Sequence, residues 1–133
     1  MKYQGSCLCG NVRFEIDGEF SKFILCHCSR CQKNTGSAHA SNLFCKEGRL
    51  EWIKGGEFVK LFKLTATRHA KCFCLNCGSA LPFSGSDGTY LVVPAGSLDV
   101  EIDIKPEAHI FCSSKATWDK DLENVAHYSE YPE

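Results

Sequence analysis

What the sequence lacks sets the first limits. Neither sign of charge is in excess: 15 basic and 16 acidic side chains scattered over 133 residues leave a formal net charge of -1. With no basic patch to track a phosphate backbone or an anionic bilayer, neither nucleic acid nor membrane is expected as a partner, and a small molecule is favoured. Long apolar runs are missing too. Nothing approaches the roughly 18 apolar residues of a spanning helix, and the opening stretch MKYQGSCLCGNVRFEIDG has no basic region followed by an apolar run. A cytoplasmic location is the expectation. Repeats, low-complexity tracts and linkers are absent, so residues 1–133 are read as one domain.

Against this background, 10 cysteines stand out. A reducing cytosol does not sustain a disulfide scaffold, and nothing in the sequence points to export, which leaves metal binding or thiol chemistry.

The clearest periodicity is two. In NVRFEI, Val12, Phe14 and Ile16 alternate with polar residues, and in SLDVEIDIK, Leu98, Val100, Ile102 and Ile104 alternate with acids, so both read as half-buried strands. Further strands are expected at 57–64, 68–73, 89–95 and 108–112, with turns at DG, GG and SGSDG. Helix signals are scarce: SRCQKNTG, with Ser29 as cap and Gly36 as stop, and DKDLENVAH near the C-terminus. The expected class is mainly β.

The cysteines fall into groups: Cys7-Leu8-Cys9, Cys26-His27-Cys28-Ser29-Arg30-Cys31, Cys72-Phe73-Cys74-Leu75-Asn76-Cys77, and the isolated Cys45 and Cys112. In CLNCG the two-residue spacer and Gly78 make a turn that aims two thiolates at one metal. Cys7 and Cys9, followed by Gly10, supply the matching pair. Together Cys7, Cys9, Cys74 and Cys77 give a closed, structural zinc site, although iron can be held by the same donors. Clipping the first strand to a loop about 65 residues on is where a metal helps a small β domain most.

Cys26, Cys28 and Cys31 remain, three ligands where a closed tetrahedral site wants four. An incomplete shell marks a catalytic zinc, whose vacant position takes water or substrate. Cys72, which opens a second CxCxxC, is the alternative: as fourth ligand it would make an inert staple.

Taken in order, GSCLCGNVRF, CHCSRCQKNTGS, FCLNCGSAL, VPAGSLD and HIFCSSKATW cover nearly the whole chain. They resemble the glutathione-dependent formaldehyde-activating enzyme (Gfa) family, which includes the centromere protein V domain. The resemblance implies a β-tent of small coiled antiparallel sheets with two zinc ions per chain: a structural one on Cys7, Cys9, Cys74 and Cys77 and a catalytic one on Cys26, Cys28 and Cys31. It also implies a carbon-sulfur lyase that joins the glutathione thiol to formaldehyde or another small aldehyde, giving S-(hydroxymethyl)glutathione.

Three thiolates leave a zinc site net negative, so cationic neighbours are needed, and Arg30, Lys33 and Lys115 are the candidates. His27, between two ligands, is the candidate general acid, ahead of His39, His69, His109 and His127. Thr35, Gly36 and Ser37 can offer hydroxyl and backbone groups to a peptide carboxylate, and His109 falls in the C-terminal motif that can line the thiol pocket. In the same motif Trp118 is expected in the core. Cys45, Cys72 and Cys112 are thiols beyond the family pattern. Two other functions compete: a zinc-stabilised binding module without catalysis, and a redox enzyme of the methionine-R-sulfoxide-reductase kind using Cys112. The oligomeric state leaves no mark in the sequence.

Overall fold

A computed structural model describes residues 1–132. Among the described residues the chain forms three small sheets, one short α-helix and four 3-10 turns. The first sheet joins β1 (Lys2–Ser6), β2 (Arg13–Asp17) and β5 (Arg49–Lys54) in the order β1-β2-β5. The second is five-stranded and contains β3 (Phe20–Cys26), β4 (Ala40–Lys46), β9 (Phe83–Ser84), β10 (Tyr90–Pro94) and β11 (Ala108–Ile110) in the order β11-β3-β4-β10-β9. The third holds β6 (Val59–Lys63), β7 (Ala70–Cys74) and β8 (Ala80–Leu81) in that order. Pairing is antiparallel except between β11 and β3, which run parallel with Ile110 opposite Cys26.

Period-two alternation places the core. On β2, Phe14 and Ile16 point inward and are fully buried, as are Leu43 on β4, Leu81 on β8 and Val93 on β10, in one apolar cluster shared by the sheets. Burying a side chain of this size contributes about 1.5–3 kcal/mol. The turn between β5 and β6 needs its glycine. Gly55 has φ +76°, and a Cβ there would overlap the Asn11 carbonyl oxygen. Gly55→Ala is therefore expected to lose about 2 kcal/mol or more of stability, read from a chemical denaturation curve.

The strands expected at NVRFEI, 57–64, 68–73, 89–95 and 108–112 correspond to β2, β6, β7, β10 and β11. SLDVEIDIK does not form a strand. Ile102 and Ile104 pack against the core, yet the segment meets no sheet edge beyond a single bridge between Leu98 and Gly5. Alternating hydrophobicity reports which side faces the core, not whether a ladder partner is free.

The helix at SRCQKNTG is present as α1 (Ser29–Thr35), with Gly36 as its left-handed stop, but the cap is Cys28 and not Ser29: the Cys28 sulfur accepts the Cys31 N–H. The second expected helix is only a 3-10 turn at Leu122–Asn124. Trp118, Leu122 and Val125 stay exposed, so the segment lacks the tertiary packing a short amphipathic helix depends on. Trp118 is likewise not a core residue. Among the described residues no helix is long and apolar enough to cross a membrane.

Candidate functional site

Where β1 ends and β7 ends, four thiols converge. The Sγ atoms of Cys7, Cys9, Cys74 and Cys77 all lie within 4.8 Å of one another. Two spacings are 3.5 Å for Cys7–Cys9 and 3.9 Å for Cys9–Cys74. Sulfurs around a tetrahedral zinc stand about 3.8 Å apart, so these donors fit such an ion. Each half is a tight turn closed by a left-handed glycine. Gly10 (φ +80°) donates to the Cys7 carbonyl, and Gly78 (φ +78°) to that of Cys74.

The local field favours the thiolate at two of these sulfurs, Cys77 and Cys9. The Ser79 hydroxyl and then the backbone N–H groups of Ser79 and Cys9 hold Cys77 down to about 5. The Asn76 side chain and the Asn11 backbone lower Cys9, whereas burial raises Cys74. The cluster ties the first sheet to the third.

A second cluster sits on the five-stranded sheet. Cys26 ends β3, Cys28 caps α1 and Cys31 lies in its first turn, with the three Sγ atoms within 4.8 Å of one another. Burial pushes Cys26 and Cys31 upward. Burial works against Cys28 too, but hydrogen bonds from the Cys31 N–H and the neighbouring thiols outweigh it and bring Cys28 below its ordinary value. Cation loading of this cluster must therefore expel protons, and both clusters can hold metal ions.

Beside the three thiols opens a cavity of about 460 Å³, walled on one side by Cys26, Cys28, Cys31 and α1 and on the other by β7 and the residues before it. Its charged side chains are Arg30, Arg68 and Lys71, and no aspartate or glutamate lines it. Lys71 donates to the Asn34 carbonyl at 2.8 Å, which bridges β7 to the end of α1. His69, also in the wall, lies 3.2 Å from the Asn34 amide nitrogen, and burial followed by the Arg30 charge lowers its pKa, keeping it neutral. Apolar walls come from Phe44, Leu81, Phe83 and Val92. Phe111 also lines it, held at φ +56°, a strained conformation for a bulky residue.

The other residues singled out in the sequence are distributed unevenly around this cavity. Arg30 and Thr35 line it, but the Thr35 hydroxyl is already engaged, donating to the Cys31 carbonyl and accepting from the Ser37 N–H. Gly36 serves as the helix stop. Lys33 lies on an adjoining groove, and Lys115 is exposed away from both. Cys72 does line the cavity, yet its sulfur is not within the three-thiol group. Burial pushes it up to about 11. Cys45 is fully buried against Gly18 and Gly48, and Cys112 is exposed in a 3-10 turn outside the cavity walls.

His27 is not in the cavity wall. It is fully buried, its Nε2 lies 2.7 Å from His109 Nδ1, and its Nδ1 faces Asp119 at 3.4 Å without forming a hydrogen bond. Burial, then the proximity of His39 and His109, lowers its pKa. Consecutive side chains on an extended segment point to opposite faces, so Cys26 and Cys28 face the cavity while His27 faces away. Arg68 and Lys71 lie outside every motif, and Asn34, although inside CHCSRCQKNTGS, was not singled out. The only sequence signal for the first two is the nearness of RHAK to Cys72.

The model of the family described as glutathione-dependent formaldehyde-activating enzyme matches residues 2–114. A Halomonas elongata protein named "Putative glutathione-dependent formaldehyde-activating enzyme" is 33% identical over 129 residues, which span 89% of this chain and 80% of that protein. A Rhodobacter sphaeroides protein of known crystal structure shares the fold, with a TM-score of 0.59 at 22% identity over 80% of this chain and 97% of that one. The motif order, the two thiol clusters and these matches agree, and the chain belongs to the glutathione-dependent formaldehyde-activating enzyme family.

Proposed function

We propose that this chain joins the thiol of glutathione, or of a closely related thiol, to formaldehyde or another small aldehyde. Zinc on Cys26, Cys28 and Cys31 is the working metal, and zinc on Cys7, Cys9, Cys74 and Cys77 is structural. One observation carries the reading: the three-thiol cluster opens into a cavity whose charged side chains are all basic. Glutathione is a net anion with two carboxylates, and a chamber of this size and charge suits it. When bound, zinc supplies Lewis acidity, easing ionisation of a thiol and polarising a carbonyl.

The chain's own residues do the rest. Arg30, Arg68 and Lys71 offset the negative charge of the ligand sulfurs and hold the tripeptide carboxylates. Phe44, Leu81 and Val92 keep water from competing with the thiol for the aldehyde carbon. The reaction forms one S–C bond, opens the C=O π bond and moves the thiol proton to the new hydroxyl, with no redox change. Neutral His69, the imidazole in the cavity wall, is the group we assign to carry that proton, in place of His27. The presence of a cavity at the cluster, with the Cys72 sulfur outside the ligand group, favours this reading over a closed staple or a pure binding module.

The test is exchange NMR of glutathione with formaldehyde in the presence of zinc-loaded protein. Adduct formation faster than in protein-free buffer is expected; no acceleration sinks the proposal. Lys71→Met is expected to raise KM for glutathione roughly tenfold with kcat nearly unchanged, the mark of a lost charge-assisted contact made equally in ground and transition states.

A further inference from the structure

The chain exposes 8935 Å² of accessible surface, whereas a compact monomer of its 14.8 kDa presents about 7,000 Å². The excess, roughly 1,900 Å² per chain, is of the order that one protomer contributes to a permanent homodimer. The C-terminal arm, residues 116–132, is exposed at every position except Ala116 and Asp119. Trp118, Leu122, Val125, Tyr128 and Tyr131 are each between 42% and 83% exposed. Isolated exposed apolar residues need no explanation, but a series of this kind on one short segment marks a binding surface.

The arm is also acidic. Asp119, Asp121, Glu123 and Glu130 stand against Lys120 alone. Its complement is a groove of about 350 Å³ between α1 and β6, with Phe62 and Leu64 as its apolar floor and Arg30, Lys33 and Lys71 as its charged rim, and no acid in its lining. Phe62 is 52% exposed. Apolar side chains and opposite charge therefore match on two surfaces of one chain.

The arm does not reach this groove in its own molecule. Its root is fastened elsewhere: Gln32 Nε2 donates to both the His27 and Ser114 carbonyls, at 2.8 and 2.9 Å, and Asp119 stands against His27, on the side of β3 away from the cavity.

We propose that the chain is a homodimer in which the C-terminal arm of each copy seats in the Phe62–Leu64 groove of the other. Arg30, Asn34, His69 and Lys71 line both the groove and the cavity, so the incoming arm forms part of the wall of its partner's cavity. An isologous pair of such contacts closes the assembly at two copies. Charge complementarity steers the encounter, and the aromatic residues and Leu122 supply the buried area.

Sedimentation of the full, metal-loaded chain at micromolar concentration tests this. A mass twice 14.8 kDa is expected. Phe62→Asp in the groove and Val125→Asp in the arm are each expected to give monomers that keep their metal content and circular dichroism spectrum. Mixing the two variants restores dimers, because each mixed pair retains one intact arm and one intact groove. A wild-type monomer overturns the proposal, whether compact, with the arm folded back, or extended. So does a dimer indifferent to both substitutions, which places the interface elsewhere, and so does a mixture that stays monomeric.

Discussion

Cys74→Ser is expected to leave the chain without a cooperative melt near its normal midpoint, with the midpoint lowered by at least about 15 °C. Cys74 is fully buried at the end of β7, and its sulfur stands 3.9 Å from that of Cys9, across 65 residues of chain. A serine hydroxyl is a poor zinc ligand, so the site loses a thiolate and leaves three ionisable sulfurs crowded together. Structural zinc contributes about 10–16 kcal/mol of apparent binding energy in small zinc-dependent folds, against a total stability of about 5–15 kcal/mol for ordinary domains. Losing even a third of that is decisive.

The damage spreads because this cluster ties the third sheet to the first, and the third sheet carries Lys71 and lies beside Arg68 and His69, the far wall of the cavity. Metal analysis should fall from two ions per chain to one or none, and chelation of the wild type should reproduce the melt. A variant melting within about 3 °C of wild type would overturn the structural assignment.

Cys28→Ser should behave oppositely: fold retained, activity gone. Serine is a good helix cap, so the hydrogen bond that the Cys28 sulfur accepts from Cys31 N at 3.3 Å has a ready substitute and α1 survives. The ligand does not. Turnover in the glutathione–formaldehyde exchange is expected to fall at least about a thousandfold, equivalent to about 4 kcal/mol of barrier, while metal content drops by one and the melt shifts by a few degrees. Cys72→Ala is the companion. Its sulfur lines the cavity but lies outside the three-thiol group, so both metals should remain and the rate should stay within about threefold. Loss of the second metal in Cys72→Ala would identify a closed site and remove the case for catalysis.

Sequence spacing is a good guide to the thiols because ligand geometry is local. A two-residue spacer and a following glycine define a turn whatever surrounds it, and Gly10 and Gly78 do adopt the left-handed backbone such turns need. Gly36 was legible as a helix stop for the same reason. What depends on distant chain was not. Arg68 and Lys71 face the three thiols only because β7 crosses opposite α1, and no periodicity records that crossing. His27 shows the converse: adjacency to two cysteines suggested a shared chemistry, whereas extended backbone turned its ring to the other face. SLDVEIDIK kept its apolar side against the core but meets the outer edge of β1 only at the Leu98–Gly5 bridge, and alternation does not encode how far such a pairing extends.

One sulfur atom in this molecule serves two masters. Cys28 belongs to the three-thiol cluster and is also the cap of a helix only seven residues long, too short to persist without its ends. In descent this couples two traits that could otherwise drift apart. A lineage that gave up the metal would keep the helix only by exchanging this cysteine for another capping residue, serine, aspartate or asparagine, while Cys26 and Cys31 would be free to become anything small. The residue found at this one position in a relative therefore separates lineages that still depend on metal from those that have kept the scaffold for another purpose.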